Sequence, residues 1–388
     1  MTTRLPFLAS RLQGFGTTIF AEMSALAART GAINLGQGFP DTDGPAEVAE
    51  AAIAAIRAGH NQYPPGPGIP ELRAAIAQHQ KRFWDLDVDP DSEVLVTAGA
   101  TEAVAAALLA LCEVGDEVIA LEPTYDSYTA AASMAGARVR PVTLHPPDYA
   151  LDLDALAGAV TPRTRLILLN SPHNPTGAVL DEAELAAVAR LCVEHDLLAV
   201  TDEVYEHIVF DGVHRPLAGF PGMAERTLTL SSAGKTFSFT GWKVGWACGP
   251  AELVTAVRTA KQFLTYVNGA PFQHAVVTGL GLGDEYFDGL RADLQAKRDL
   301  LCSGLAAAGL TVFEPRGTYF VTVDIRALGE DDGLAFCRSL PERCGVVAVP
   351  NAVFYADPAT GRHLVRFTFC KRTDVLAEAA ERLAGLSG

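Results

Sequence analysis

From about residue 90 the chain alternates between two textures. Short runs rich in Val, Leu and Ile occur at Val94–Thr97, Val118–Leu121, Arg138–Val142, Leu166–Leu169, Leu198–Asp202, Leu228–Ser231 and Val244–Cys248. Ala- and Leu-rich stretches long enough for helices follow most of them, at Glu102–Glu113, Ser127–Ala135, Asp181–His195 and Ala251–Phe263. A strand that is apolar on both faces has to be covered on both, and a helix between successive strands supplies the cover. The pattern predicts an α/β fold: a large domain with a mostly parallel, seven-stranded sheet flanked by helices.

Beyond about residue 284 the texture changes. A long helical stretch, Tyr286–Ala308, precedes short β-rich runs near Val312, Tyr319–Val323, Val346–Val349 and His363–Phe369, and a closing helix is expected over Val375–Leu386. We assign residues 285–388 to a smaller α+β domain, 46–284 to the large domain, and 1–45 to an N-terminal arm that packs with the small one. Gly36-Gln37-Gly38-Phe39-Pro40 reads as a loop. The segment Asn61–Pro70, with Tyr63-Pro64-Pro65-Gly66-Pro67-Gly68, has too many prolines for a helix or a central strand and is expected as an extended surface loop.

Composition narrows the class. The 388 residues are 49% hydrophobic and 20% charged, the balance of a chain that buries a large core. The longest apolar run, Ala103–Cys112, is about half of what a membrane-spanning helix needs. The start, Met1-Thr2-Thr3-Arg4, leads into no apolar stretch with a small-residue cleavage site, so no secretion signal is expected. The cysteines (112, 192, 248, 302, 337, 344 and 370) are scattered and never form a C-x-x-C pair. They point to reduced core residues of a cytoplasmic protein, with no disulfide and no metal site. A net charge of −16 argues against nucleic acid. An anionic ligand would have to be gathered by a few specific cations against that field.

Ligands of open α/β sheets bind beyond the carboxyl ends of the strands, so the residues after each run carry the chemistry. Ala98-Gly99-Ala100-Thr101-Glu102 is a small-residue turn opening a helix, suited to a phosphate or to nothing more than a tight connection. Asn170-Ser171-Pro172-His173-Asn174-Pro175-Thr176-Gly177 fixes Asn174 in a proline-bounded loop, or is simply a turn. Asp202, ending an apolar strand, needs a cation: a protonated pyridine nitrogen or a structural partner. Lys235, within Ser231-Ser232-Ala233-Gly234-Lys235-Thr236-Phe237, sits among small and aromatic residues that would desolvate it and lower its pKa. The G-K-T triplet is not a nucleotide-binding P-loop, because position 229 is Thr where that motif needs Gly. Arg366, alone in the apolar run Leu364–Phe369, needs an anion: a substrate carboxylate or an internal ion pair.

Taken in this order the motifs resemble the class-I aminotransferases of fold type I, pyridoxal 5′-phosphate (PLP) enzymes, over nearly the whole chain. The matching text is Asn34–Pro40, Asn61-Gln62-Tyr63, Asn174-Pro175-Thr176-Gly177, Asp202-Glu203-Val204-Tyr205, Ser232-Ala233-Gly234-Lys235 and Arg366-Phe367. The branch it resembles contains the kynurenine/glutamine and the actinobacterial N-succinyldiaminopimelate aminotransferases. The resemblance implies that Lys235 carries the cofactor as a Schiff base and shuttles the proton. It pairs Asp202 with the pyridine nitrogen, sets Asn174 and Tyr205 on the ring's 3′ oxygen, and stacks Tyr125 on the ring. It gives the phosphate to Ala100, Thr101, Ser232 and Lys243, with Tyr63 arriving from the second subunit of a homodimer. Lys243 stands where other branches carry arginine. Gly38 and Arg366, with Asn174, take the substrate's α-carboxylate.

The implied reaction moves an amino group between an L-amino acid and a 2-oxo acid. Phe20, in Phe20–Ala27, is expected beside the substrate's side chain, with Tyr63 and Tyr266 as further walls. Such a pocket suits a long or aromatic donor better than aspartate. The resemblance points to N-succinyl-LL-diaminopimelate with glutamate/2-oxoglutarate, its distant carboxylates met by Arg11 or Arg316. A kynurenine-, glutamine- or methionine-type enzyme with C–S β-lyase side activity is the alternative. A non-catalytic PLP-binding regulator is remote, since Gly36 leaves little room for a DNA-binding domain ahead of it.

Overall fold

The computed structural model describes residues 7–387, so the Met1–Arg4 start and the first part of the 1–45 arm lie outside the described residues. Seven strands form the large sheet: β1 (Val94–Thr97), β2 (Glu117–Glu122), β3 (Arg138–Thr143), β4 (Thr164–Asn170), β5 (Leu198–Asp202), β6 (Thr227–Ser232) and β7 (Gly245–Cys248). Their order is β1-β7-β6-β5-β4-β2-β3. All neighbours are parallel except β7, which runs antiparallel to β1 and β6.

The two-faced apolar pattern is explained by where alternate residues go. Leu166, Leu168 and Val200 pack on one face with Val104 and Leu108 of the helix Gly99–Leu111. Ile167, Leu169 and Ala199 pack on the other with Leu185 and Val188 of the helix Glu182–Glu194. That second helix begins with a reciprocal cap: Asp181 accepts from the Glu184 amide at 2.8 Å and the Glu184 carboxylate accepts from the Asp181 amide at 2.8 Å. The exchange satisfies two amide donors that a helix start leaves free.

The C-terminal part builds a four-stranded antiparallel sheet from Thr311–Phe313, Phe320–Asp324, Leu364–Thr368 and Val349–Pro350, backed by the helices Asp284–Ala307 and Thr373–Leu383. The run Val346–Val349 is split. Val346–Val347 pairs in parallel with Ile33–Asn34 of the N-terminal arm, and only Val349–Pro350 joins the antiparallel sheet. Met23, Ala27 and Leu35 of the arm share a core with Val321 and Phe367. The helix Ala46–Arg57 instead packs Val48 and Ala52 against Ala275 of the helix Ala270–Leu280. Residues 59–69 are irregular, and a helix starts at Pro70. Among the described residues no helix is long and apolar enough to cross a membrane.

Candidate active site

The carboxyl ends of β4, β5 and β6 open into a cavity of about 800 Å³ that reaches the small domain at Arg366. It is lined by Phe20 and by every residue expected at the cofactor or the α-carboxylate except Tyr63, while Tyr266, Arg11 and Arg316 do not line it.

Asp202 ends β5 and is buried, 6% exposed. Its Oδ2 accepts from the Tyr128 hydroxyl at 2.7 Å and its Oδ1 from the Val204 amide at 3.3 Å. The neighbouring loop is tied to the same strand end: Asn170 donates to the Asp202 carbonyl at 2.8 Å, and its own Oδ1 accepts from the Asn174 amide at 2.7 Å. Burial pushes the Asp202 carboxyl above its ordinary range, with the Tyr128 bond opposing. Lys235 acts on it through the field only, and no ion pair joins the two among the described residues. Lys235, half-buried on the cavity wall, has its amine pushed down by desolvation, towards the neutral nucleophile. Its Nζ stands 5.6 Å from the Tyr319 ring centre and 5.9 Å from that of Tyr205.

A second part of the cavity is built for an anion. Gly99 opens the helix Gly99–Leu111 at φ +74°. A Cβ there would lie 3.2 Å from Lys243 Nζ, so the ammonium group rests over the helix start. Ala100, Thr101 and Ser232 line the same wall. Free amides, a positive helix end and a lysine together suit a phosphate. Close strand packing is required here too: a Cβ on Gly245 of β7 would fall 2.6 Å from the Gly99 carbonyl carbon.

Arg366 decides between the two readings of its strand. It is 1% exposed. Its Nη1 donates to Asn174 Oδ1 at 2.8 Å and its Nη2 to the Gly36 carbonyl at 3.0 Å, while Nε has no partner. Its guanidinium lies 4.0 Å from the Phe320 ring centre and 5.2 Å from that of Phe20. No carboxylate pairs with it among the described residues; Asp126, also on the cavity wall, acts only through the field. Burial lowers it to about 10. A buried guanidinium held by two neutral oxygens has no counter-anion among the described residues, which does not fit an internal ion pair. Gly38 keeps the approach open: a Cβ there would meet the Phe320 ring at 2.5 Å, and its carbonyl accepts from the Tyr319 hydroxyl at 2.7 Å.

Three expected neighbours are elsewhere. Arg316 does not line the cavity; its Nη2 donates to the Val179 carbonyl at 2.6 Å. Tyr63 is 81% exposed and Tyr266 52% exposed; they meet edge-on at 5.6 Å and wall no part of this chain's own cavity. Sequence reasoning missed Tyr128, the donor to Asp202, although it lies three residues after Tyr125 on one helix face. It also missed the wall formed by Gly14–Thr18 and Val353, where nothing in the residue types marks a ligand.

The family described as aminotransferase class I and II matches residues 30–383. The solved structure of N-succinyldiaminopimelate aminotransferase from Mycobacterium tuberculosis is 57% identical, with a TM-score of 0.96 over 98% of this chain and 100% of that one. Methionine aminotransferase of Escherichia coli is 42% identical over 97% of this chain and 98% of its own. Kynurenine–oxoglutarate transaminase of Dictyostelium discoideum is 35% identical over 97% and 96%. The chain belongs to the class I and II aminotransferases, a family of PLP enzymes. It is a transaminase, and its fold is that of fold type I.

If Arg366 is the carboxylate anchor, Arg366→Lys loses the planar fork for donor and acceptor alike. We expect kcat/KM to fall about 10- to 100-fold for both substrates, mainly through KM, as loss of one charge-assisted hydrogen bond implies. Steady-state kinetics with both substrates checks this; a loss of thermal stability with unchanged KM would instead make Arg366 structural.

Proposed function

We propose that this transaminase holds PLP between Lys235 and Asp202 and uses it on an amino donor with a long side chain, N-succinyl-LL-diaminopimelate, with glutamate/2-oxoglutarate as the second pair. The observation that carries the cofactor reading is Asp202: a buried carboxylate at a strand end, with no cation paired to it among the described residues, beside an anion cup and a half-buried lysine. When bound, PLP supplies the aldehyde that takes up the amino group and the ring that accepts the electron pair left by the α-proton.

The chain's own groups do the rest. Lys243, Ser232 and the amides of Ala100 and Thr101 would hold the phosphate. Asp202, oriented by Tyr128, would meet the ring nitrogen and hold its proton. Asn174 and Tyr205 would hold the ring's 3′ oxygen, and Tyr125 would contact the ring. Lys235 Nζ, disposed by desolvation to be neutral, takes the α-proton and returns it. Arg366, with Gly38 leaving room, binds the α-carboxylate and so fixes which C–H bond points at Lys235.

The substrate wall supports a long donor. Among the described lining residues the cations are Lys235, Lys243 and Arg366, so this chain offers no second arginine at close range for a short dicarboxylate such as aspartate. Beyond Phe20 the wall is Gly14–Thr18, and exposed Arg11 stands three residues earlier. A homodimer belongs to the same reading. Tyr63, Phe263, Leu264 and Tyr266 form an exposed apolar group, and Lys261 ties the two segments by donating to the Gly66 and Tyr266 carbonyls at 3.2 and 2.6 Å. A second copy would cover them and receive Tyr63 at its phosphate.

Borohydride treatment of the cofactor-loaded enzyme should fix a pyridoxyl group on the peptide containing Lys235. Lys235→Ala should still bind PLP, yield no fixed adduct by mass spectrometry, and lose about 10²- to 10⁴-fold in rate. An adduct on another lysine would move the assignment. For the donor, kcat/KM across a panel should rank N-succinyl-LL-diaminopimelate above kynurenine, methionine and glutamine, with aspartate last; aspartate ranking first would refute the wall argument.

A further inference from the structure

The turn that carries Asp202 and Tyr205 continues into Glu206 and His207, which line a separate cavity of about 450 Å³ that shares no residue with the first. Behind it lies His79, from the helix Pro70–Trp84, only 2% exposed. His79, Glu206 and His207 bring three ligand atoms within 4.8 Å of one another. We propose that these three residues form a zinc(II) site that ties the helix Pro70–Trp84 to the turn following β5.

The donor set fits that ion. His79 Nε2 and His207 Nε2 face each other at 2.7 Å. His79 is buried and His207 half-buried beside the cavity, and each ring turns Nε2, a nitrogen that can ligate a metal, toward the other. The Glu206 carboxylate is already oriented: Oε1 accepts from Ser231 Oγ at 2.5 Å and Oε2 from Trp84 Nε1 at 2.6 Å. Each oxygen retains a lone pair, and such outer hydrogen bonds are what fix a ligating carboxylate. Two imidazoles and a carboxylate leave the fourth tetrahedral position to a water on the cavity side. Zn–N bonds of about 2.0–2.1 Å place two tetrahedral nitrogens about 3.3 Å apart, so the rings must part by roughly 0.6 Å.

The other charged groups nearby are engaged elsewhere. His214 faces Glu203 at 2.9 Å, Arg82 pairs with Asp284, and Arg291 with Asp288 at 2.8 Å. His79 Nδ1 has no partner. Seating the ion forces the proton onto that buried nitrogen, which weakens the site relative to one with a carbonyl behind the ring. Micromolar binding is therefore expected, not the tighter binding of a fully supported site.

The purified enzyme, dialysed against a chelator, is titrated with zinc alone in competition with a chromophoric chelator. One equivalent per chain is expected, at least ten-fold weaker in His207→Ala and in Glu206→Gln. Binding should be unchanged in His60→Ala, which removes a surface imidazole whose ring centre lies 4.0 Å from that of His274 and so controls for adventitious surface binding. Because His207→Ala alters the turn itself, zinc-edge X-ray absorption on the unaltered protein is the second measurement, and it must show two imidazole ligands. Absence of a bound equivalent, an equivalent that survives His207→Ala, or a spectrum lacking two imidazoles overturns the proposal.

Discussion

Burying an ionised group costs several kcal/mol unless an opposite charge meets it, and this fold buries Asp202 and Arg366 around one cavity with no ion pair to either among the described residues. Lys235 stands in the same cavity, also without an ion pair among the described residues. Neutral groups orient these charges: Tyr128 for Asp202, Asn174 and Gly36 for Arg366. Hydrogen bonds of that kind make a buried charge tolerable without cancelling it. Such an arrangement suits ligands of matching charge, and the proposed reading sets a cation against Asp202 and an anion against Arg366.

The sheet supplies the stiffness. Asn170, Asp202 and Ser232 are the last residues of three adjacent strands, so their spacing is set by ladder hydrogen bonds and not by loop conformation. The anion cup depends on backbone contact in the same way. Gly99 adopts a left-handed turn under Lys243, and Gly245 permits the close approach of β7 to it. Arg366 comes from the other sheet, on Leu364–Thr368, and the domains meet where its Nη1 reaches Asn174. In the proposed reading, the cofactor would be held mainly from the seven-stranded sheet and the substrate carboxylate from the four-stranded one.

Much of this was legible in the residues. Short β-rich runs marked all seven strands within a residue or two, and in the central ones, such as Thr164–Asn170, alternate side chains enter different cores. The chemistry-bearing residues at the strand ends were visible because a charge after an apolar run is costly and demands a reason. Direction was not legible: nothing in Val244–Cys248 tells that β7 runs against its neighbours. Nor was pairing across distance. The Arg366–Asn174 bond spans 192 residues, and the His79–His207 contact spans 128. Composition does not encode such meetings. The Val346–Val349 run was misread as one strand because a single run can serve two sheets.

The central claim, that Asp202 is a charge buried to await a cationic ring, is tested most directly by comparing unfolding of wild type and Asp202→Asn, each with and without PLP. The amide keeps an acceptor for Tyr128 but carries no charge. Without cofactor the account predicts that Asp202→Asn is at least as stable as wild type, since it removes an uncompensated charge. With saturating PLP the order reverses, and wild type gains the larger increase in Tm. The same order in both states, or an equal gain from PLP in both proteins, would contradict it.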